Sequence, residues 1–173
     1  IQMDNQDCVS GKPVVQKQGE RYLVQNIPAT PLTRKELDEI YAMPFTRRYH
    51  PSYEALGGVP AIAEVEFSII QNRGCYGGCN FCAITMHQGR RVTSRSEDSI
   101  VEEAKAMTEA PNFKGYIHDV GGPTANFRLP SWGQQMAKGM CVEGKHCLAP
   151  APCPKLIVDH KEYLKILRRL REL

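Results

Sequence analysis

Seven cysteines are the most chemically versatile side chains in this 173-residue sequence, and six of them are grouped. Cys75, Cys79 and Cys82 lie in Cys75-Tyr76-Gly77-Gly78-Cys79-Asn80-Phe81-Cys82, a C-x-x-x-C-x-x-C run with an aromatic residue ahead of its third cysteine. Three thiolates on one short loop suit an iron–sulfur cube, because soft thiolates hold such clusters and one loop can wrap the faces of the cube. Three ligands leave one iron open to a cofactor or substrate, as the vacant position is in a catalytic metal site. Gly77 and Gly78 allow the backbone conformations that wrapping needs. The competing explanation is a zinc site completed by His87 or His118, although zinc ribbons bring their ligands as paired C-x-x-C knuckles. A second group, Cys141, Cys147 and Cys153, is spread along a Gly- and Pro-rich stretch, and Cys8 has no partner in sequence.

The elements that must position these residues are legible from periodicity and caps. Val14 to Val24 reads as a hairpin turning at Gly19. Thr33 and Glu36 form a capping-box pair before a helix over 34–43 with Leu37, Ile40 and Tyr41 on one face, and Pro44 ends it. Residues 45–58 carry turn residues without a period and read as loop. From Ala63, alternation sets Val65, Phe67 and Ile69 on one face of a strand that runs through Asn72-Arg73-Gly74 into Cys75. Ser96 caps the next helix, whose first turn is acidic and whose stripe is Ile100, Val101, Ala104 and Met107. Gly115 to Val120 reads as a second strand running into Gly121-Gly122-Pro123. A long loop follows, and a last helix starts at Asp159 and Glu162 with Tyr163, Leu164, Leu167 and Leu170 as its apolar face.

Strand, helix, strand, helix is the order of a parallel α/β protein. Both cysteine groups follow strands, so both loops leave the carboxyl-terminal edge of such a sheet, where active sites gather, and both are expected to face one cavity. A net charge of +3 is too weak to imply nucleic-acid binding, and 42% hydrophobic with 24% charged residues excludes wholesale disorder. No stretch approaches the ~18 apolar residues of a membrane span, and the N-terminal residues lack the basic, apolar, small-residue order of a signal peptide, so a cytoplasmic protein is expected. The first residue is Ile1, which points to a piece of a longer protein.

On these residues the sequence resembles the radical S-adenosylmethionine (SAM) superfamily. It resembles in particular the YgiQ family, through Cys75 to Arg90, Ser94-Arg95-Ser96-Glu97, Gly121 to Asn126, Pro44 to Arg48, His50 to Tyr53, and the spaced Cys141, Cys147 and Cys153 ahead of Pro154. The resemblance implies an α/β fold: the first two β/α units of a partial radical SAM (β/α) barrel over 63–173, with a cysteine-containing insertion at about 124–158. A small hairpin-plus-helix extension over 1–62 would precede it. It implies an enzyme in which Cys75, Cys79 and Cys82 ligate a 4Fe-4S cluster. One electron passes from that cluster into SAM, giving methionine and a 5′-deoxyadenosyl radical that abstracts hydrogen from a substrate. Phe81 would pack near the adenine. Gly121, Gly122 and Pro123 would take the place of the superfamily's glycine-rich contact to the SAM amino group, with Pro123 where an acidic residue is usual. Flavodoxin or ferredoxin would be the electron donor; the substrate is not readable, and this piece alone is not expected to turn over.

Cys141, Cys147 and Cys153 are expected to bind a second iron–sulfur cluster or zinc, with His146, His160 or an external group as fourth ligand, against the alternative of free thiols in a flexible loop. A rival for the whole chain is a non-catalytic, zinc-stabilised binding module using both groups. His118 and Asp119 lie on the second strand, where one of them could point into the barrel toward substrate, with a satisfied strand histidine as the plainer explanation. Arg90 and Arg91 either hold an anion or are solvated. Arg47, Arg48, Lys165, Arg168, Arg169 and Arg171 read as a solvated face.

Overall fold

The chain opens on an antiparallel hairpin, β1 (Val14–Gln18) and β2 (Arg21–Gln25), turned by Gly19 at φ 62°. Val15, Tyr22, Leu23 and Val24 on this hairpin stay exposed. Helix α1 (Arg34–Tyr41) carries the full capping box between Thr33 and Glu36 and buries Leu37. Residues 45–58, expected to be loop, contain a 3-10 helix over Pro51–Leu56; His50 caps it by accepting from the Ser52 amide, and Pro51 stands at its first turn.

In this computed structural model, which describes residues 5–122, 127–142 and 146–173, the expected strand from Ala63 is shortened. Residues Ile62–Val65 instead form a helical turn, α2, closed by the Glu66 amide donating to the Ile62 carbonyl at 2.8 Å. Strand β3 is only Ser68–Ile70. A strand extends as far as it finds a partner, and its neighbour offers just three paired residues. Phe67 and Ile69 face the core as the alternation predicts, whereas Val65, on the helical turn, is exposed.

Next comes a short strand, β4 (Asn72–Arg73), then a helical turn, α3 (Ile84–His87), then β5 (Thr93–Ser94), which pairs antiparallel with β4. Helix α4 (Glu97–Thr108) follows, with Ser96 accepting from the Ser99 amide and all four predicted stripe residues buried. The second strand, β6 (Asp119–Gly121), is shorter and later than Gly115 to Val120, and pairs parallel to β3 with Ser68 opposite Asp119 and Ile70 opposite Gly121. Beyond a short turn, α5 (Gln135–Lys138), the chain ends in α6 (Lys161–Leu170).

The order β3, α4, β6, α6 is that of two β/α units in a mixed α/β protein; among the described residues no third strand joins β3 and β6. Their core is Phe67, Ile69, Ile100, Ala104, Met107 and Ile166, with Phe113 edge-on to Phe67 at 5.3 Å. The buried face of α6 is centred on Ile166, while Leu164 is half exposed. Tyr163, Ile166, Leu167 and Leu170 recur at the three- and four-residue spacing of one helix face, which Leu164 leaves. No helix of the described residues is long and apolar enough to cross a membrane.

Candidate metal centre

Because β3 and β6 are parallel, the chain leaves both at the same end, and both cysteine loops start there. The base of the first loop is clamped by β4 and β5. Inside that clamp the Cys75 amide donates to the Gly89 carbonyl at 3.1 Å and the Gly74 amide to Gln88 Oε1 at 3.1 Å. Gly74, at φ 81°, lies so close to Arg91 that a Cβ there would be 1.7 Å from the Arg91 carbonyl oxygen. Only glycine fits both the conformation and the space.

The loop then presents its sulfurs. The Gly77 amide donates to Cys75 Sγ at 3.2 Å, and the bare face of Gly77 lies under two sulfurs: a Cβ there would sit 3.3 Å from Cys75 Sγ and 3.5 Å from Cys79 Sγ. The Cys82 amide donates to the Cys79 carbonyl, turning the third cysteine back toward the second. Cys75 is buried, Cys82 half-buried and Cys79 exposed. Phe81 is 93% exposed at the loop's outer edge, so it is not part of the core.

The glycine pair at the end of β6 abuts the segment that leads into this loop. The Gln71 amide donates to the Gly121 carbonyl at 2.8 Å, and a Cβ on Gly122 would be 1.9 Å from Asn72 Oδ1, a buried acceptor without a hydrogen-bond donor. Pro123, the third residue of the expected contact, lies outside the described residues.

Cys141, Cys147 and Cys153 line a cavity of about 90 Å³ together with Ser131, Trp132, Met140, Lys155 and Leu156. The first triplet does not line it, so the expected shared cavity gives way to a different link, Tyr76. This buried phenol packs with Val92, Met140, Cys147 and Leu156 and stacks on Phe127 at 4.0 Å. Its pKa is pushed up to about 12, by burial first and then by Cys147 and Cys75. Burial likewise pushes the Cys147 thiol up, against the Ser131 hydroxyl and the Arg90 charge, with Cys141 and Cys153 adding to the rise. The two loops also touch directly, since Leu148 lies 3.9 Å from the Cβ position of Gly77 and His146 packs against Gly78. His146 Nδ1 is buried without a partner beside Gly78, and neither it nor His160 lines the second cysteine cavity. His118, expected on the second strand, is the exposed residue just ahead of β6, packs against Tyr116, and donates its amide to the Phe67 carbonyl.

The arginines depart most from expectation. Arg90 and Arg91 are buried and not part of a solvated surface. Arg90 Nη1 donates to the Cys141 carbonyl at 2.5 Å, while Arg91 pairs with Asp7 at 3.3 Å and donates to the Gln135 carbonyl at 3.2 Å. Arg95, 1% exposed, donates to the Ile70 and Ser99 carbonyls, pairs with Glu103 and covers the Tyr41 ring. Arg128 donates to Gln71 Oε1 and the Arg95 carbonyl and pairs with Glu162 at 3.0 Å. Arg47 also pairs with Glu103, and Lys165 and Arg169 pair with Glu97 at the start of α4, so three residues of the expected solvated face are engaged. Buried guanidinium groups satisfy carbonyls at the ends of short strands, where ladder partners run out. The Arg–Arg pair directly after the cysteine loop was the one available sequence signal.

The donor set fits an iron–sulfur cluster: three thiols on one loop, an amide aimed at one sulfur, and the space over Gly77 kept clear by the missing Cβ. Among the described residues no three His, Cys, Asp or Glu side chains are drawn onto one metal-sized centre, in either cysteine group.

Comparison with known proteins gives this geometry a family setting. Residues 1–68 match the family model described as Radical SAM N-terminal. Over all 173 residues the chain is 57% identical to a UPF0313 protein of Clostridium botulinum (strain Okra / Type B1), covering 27% of that protein, and 57% identical to one of Clostridium perfringens (strain ATCC 13124), covering 26%. No solved structure matches it significantly. These matches bear out the resemblance to the radical SAM proteins that the cysteine triplet carries. The chain spans about a quarter of the length of the curated relatives it matches.

Proposed function

We propose that this chain is the cluster-bearing part of a cytoplasmic radical SAM enzyme of the YgiQ kind, its β3–α4–β6–α6 order being the first two β/α units of a partial barrel. The observation that carries the reading is the pair of sulfurs, Cys75 and Cys79, gathered over the open face of Gly77 on a loop whose base is clamped. Cys75, Cys79 and Cys82 would hold a 4Fe-4S cluster, with SAM at the iron they leave free. When bound, that pair supplies the reductive cleavage of a carbon–sulfur bond, with the electron delivered by a flavodoxin or ferredoxin.

The chain's own residues bind and orient. The Gly77 amide donates to Cys75 Sγ and orients that sulfur on the loop. Asn72 Oδ1, buried without a donor beside Gly121 and Gly122, is an acceptor of the kind an ammonium group seeks, and Pro123 brings no charge to replace it. Phe81, exposed at the loop edge, offers a ring face to a purine.

The test is anaerobic reconstitution with iron and sulfide. The expected product is a brown protein with about four irons on the first triplet. That iron should be lost in Cys75→Ala, Cys79→Ala and Cys82→Ala, and the spin signal of the reduced cluster should change when SAM is added. In the protein at the full length of its relatives, dithionite and SAM should yield 5′-deoxyadenosine. A colourless protein holding tetrahedral zinc on Cys75, Cys79 and Cys82 would overturn the reading and establish the zinc module instead.

A further inference from the structure

We propose that Cys141, Cys147 and Cys153 form a second, separate metal centre, a three-thiolate site for a thiophilic metal, in the small cavity beside the first cysteine loop. It stands whether or not the first triplet carries a cluster. The cavity wall carries three cysteines and the thioether of Met140, with Ser131 and Lys155 as its other polar groups and no carboxylate among the lining residues. Such a set selects zinc, copper(I) or iron with sulfide over calcium or magnesium. The Met140 sulfur is already engaged by Gln135 Nε2 at 2.6 Å, which leaves the three thiols as the ligands.

The wall is built from three separately anchored pieces of chain. The Cys141 carbonyl accepts from the buried Arg90, the Cys153 amide donates to the Cys147 carbonyl at 2.9 Å, and the Ile157 amide donates to the Ser131 carbonyl at 2.8 Å. Charge is provided for as well. Three thiolates and a divalent ion sum to one negative charge, and Arg90 behind Cys141 and Lys155, held over Trp132 at 5.8 Å, supply positive charge at the same place. A cavity of about 90 Å³ is the share of roughly three waters in the liquid, room for one ion and a solvent ligand once the sulfurs contract onto it. Because His146 turns to Gly78 and His160 lies elsewhere, the fourth position belongs to solvent or a small external ligand.

The experiment uses the full-length protein carrying Cys75→Ala, Cys79→Ala and Cys82→Ala, so that nothing at the first triplet contributes and failure of either reading shows separately. Cobalt(II) is the probe. One equivalent should bind with the intense near-ultraviolet absorption of thiolate-to-cobalt charge transfer, and zinc should displace it. Each of Cys141→Ser, Cys147→Ser and Cys153→Ser should lower that absorption by about a third, and Cys8→Ser should leave it unchanged. Circular dichroism on the same samples verifies folding. Parallel loading with zinc and with iron plus sulfide identifies the native metal. Cobalt bound without the thiolate band, or a band unaltered by the three serine substitutions in folded protein, would overturn the proposal.

Discussion

The two cysteine loops leave the same end of one parallel strand pair and are held by different forces. The first is fixed chiefly by backbone: the β4–β5 pairing, the Cys75 amide on the Gly89 carbonyl and a glycine pressed onto Arg91, with the Gln88 side chain accepting from the Gly74 amide. Cys75 is buried at its base, while Cys79 and Phe81 are exposed at its outer edge. The second has backbone ties too, Cys153 to Cys147 and Ile157 to Ser131. It leans on side chains as well, with Arg90 donating to the Cys141 carbonyl and the Ser131 amide donating to Gln135 Oε1, and its cysteines line a cavity although Cys141 is exposed. A loop meant to meet a cofactor needs a stiff base and an open face, which backbone clamping provides. A loop that seals a cavity can be tied by long side chains and should be the looser of the two.

Four measurements would break or sharpen that contrast. The largest effect is expected from Gly74→Ala, whose new Cβ would strike the Arg91 carbonyl at 1.7 Å. It should cost about 3 kcal/mol or more in urea unfolding and abolish iron uptake. Gly115→Ala, also at positive φ but with nothing within 4 Å, should cost only about 1 kcal/mol. A small loss at Gly74 would mean that the first loop is not clamped.

Arg90→Met comes next, at about 2 kcal/mol for the loss of a buried charge-assisted hydrogen bond to Cys141. Amide exchange should then speed up across residues 146–153 and stay slow at Cys75. Equal acceleration in both loops would contradict independent anchoring.

Acid should loosen the side-chain ties before the backbone clamp. Burial pushes Glu162 up, but Arg128 and Arg34 outweigh it and hold the carboxyl below its usual 4.5; for Asp7, too, burial is outweighed, by the Ser10 and Val9 amides and Arg91. A carboxylate with a lowered folded pKa contributes stability above its unfolded value and loses it as pH falls through the folded one. Unfolding midpoints should therefore decline as pH drops below about 4.5, and Glu162→Gln should be less stable at neutral pH with a flatter acid limb. An unchanged limb would remove Glu162 from the set.

The smallest change in stability, under about 1 kcal/mol, is expected from Gly77→Ala, where the contacts to the two sulfurs are 3.3 and 3.5 Å. Iron retention in the first loop should nevertheless fall severalfold while cobalt binding to the second group persists. Full iron retention would show that the cleared face over Gly77 is not used.

What the sequence determined by itself is what local spacing controls. The Thr33–Glu36 box, the Ser96 cap with its four-residue stripe and the C-x-x-x-C-x-x-C loop are each contained in one short stretch of chain, so neighbours in sequence suffice to specify them. Tertiary structure decided everything that depended on distant partners. The alternation from Ala63 became strand only where β6 lay alongside, and Ile166 displaced Leu164 from the buried face because α4 approaches α6 from that side. Arg90, Arg91, Arg95 and Arg128 went inside because carbonyls at strand ends and loop turns needed donors, a demand that exists only after remote segments meet. Tyr76 joined the two cysteine groups for the same reason: its neighbours in space, Met140, Cys147 and Leu156, are far from it along the chain.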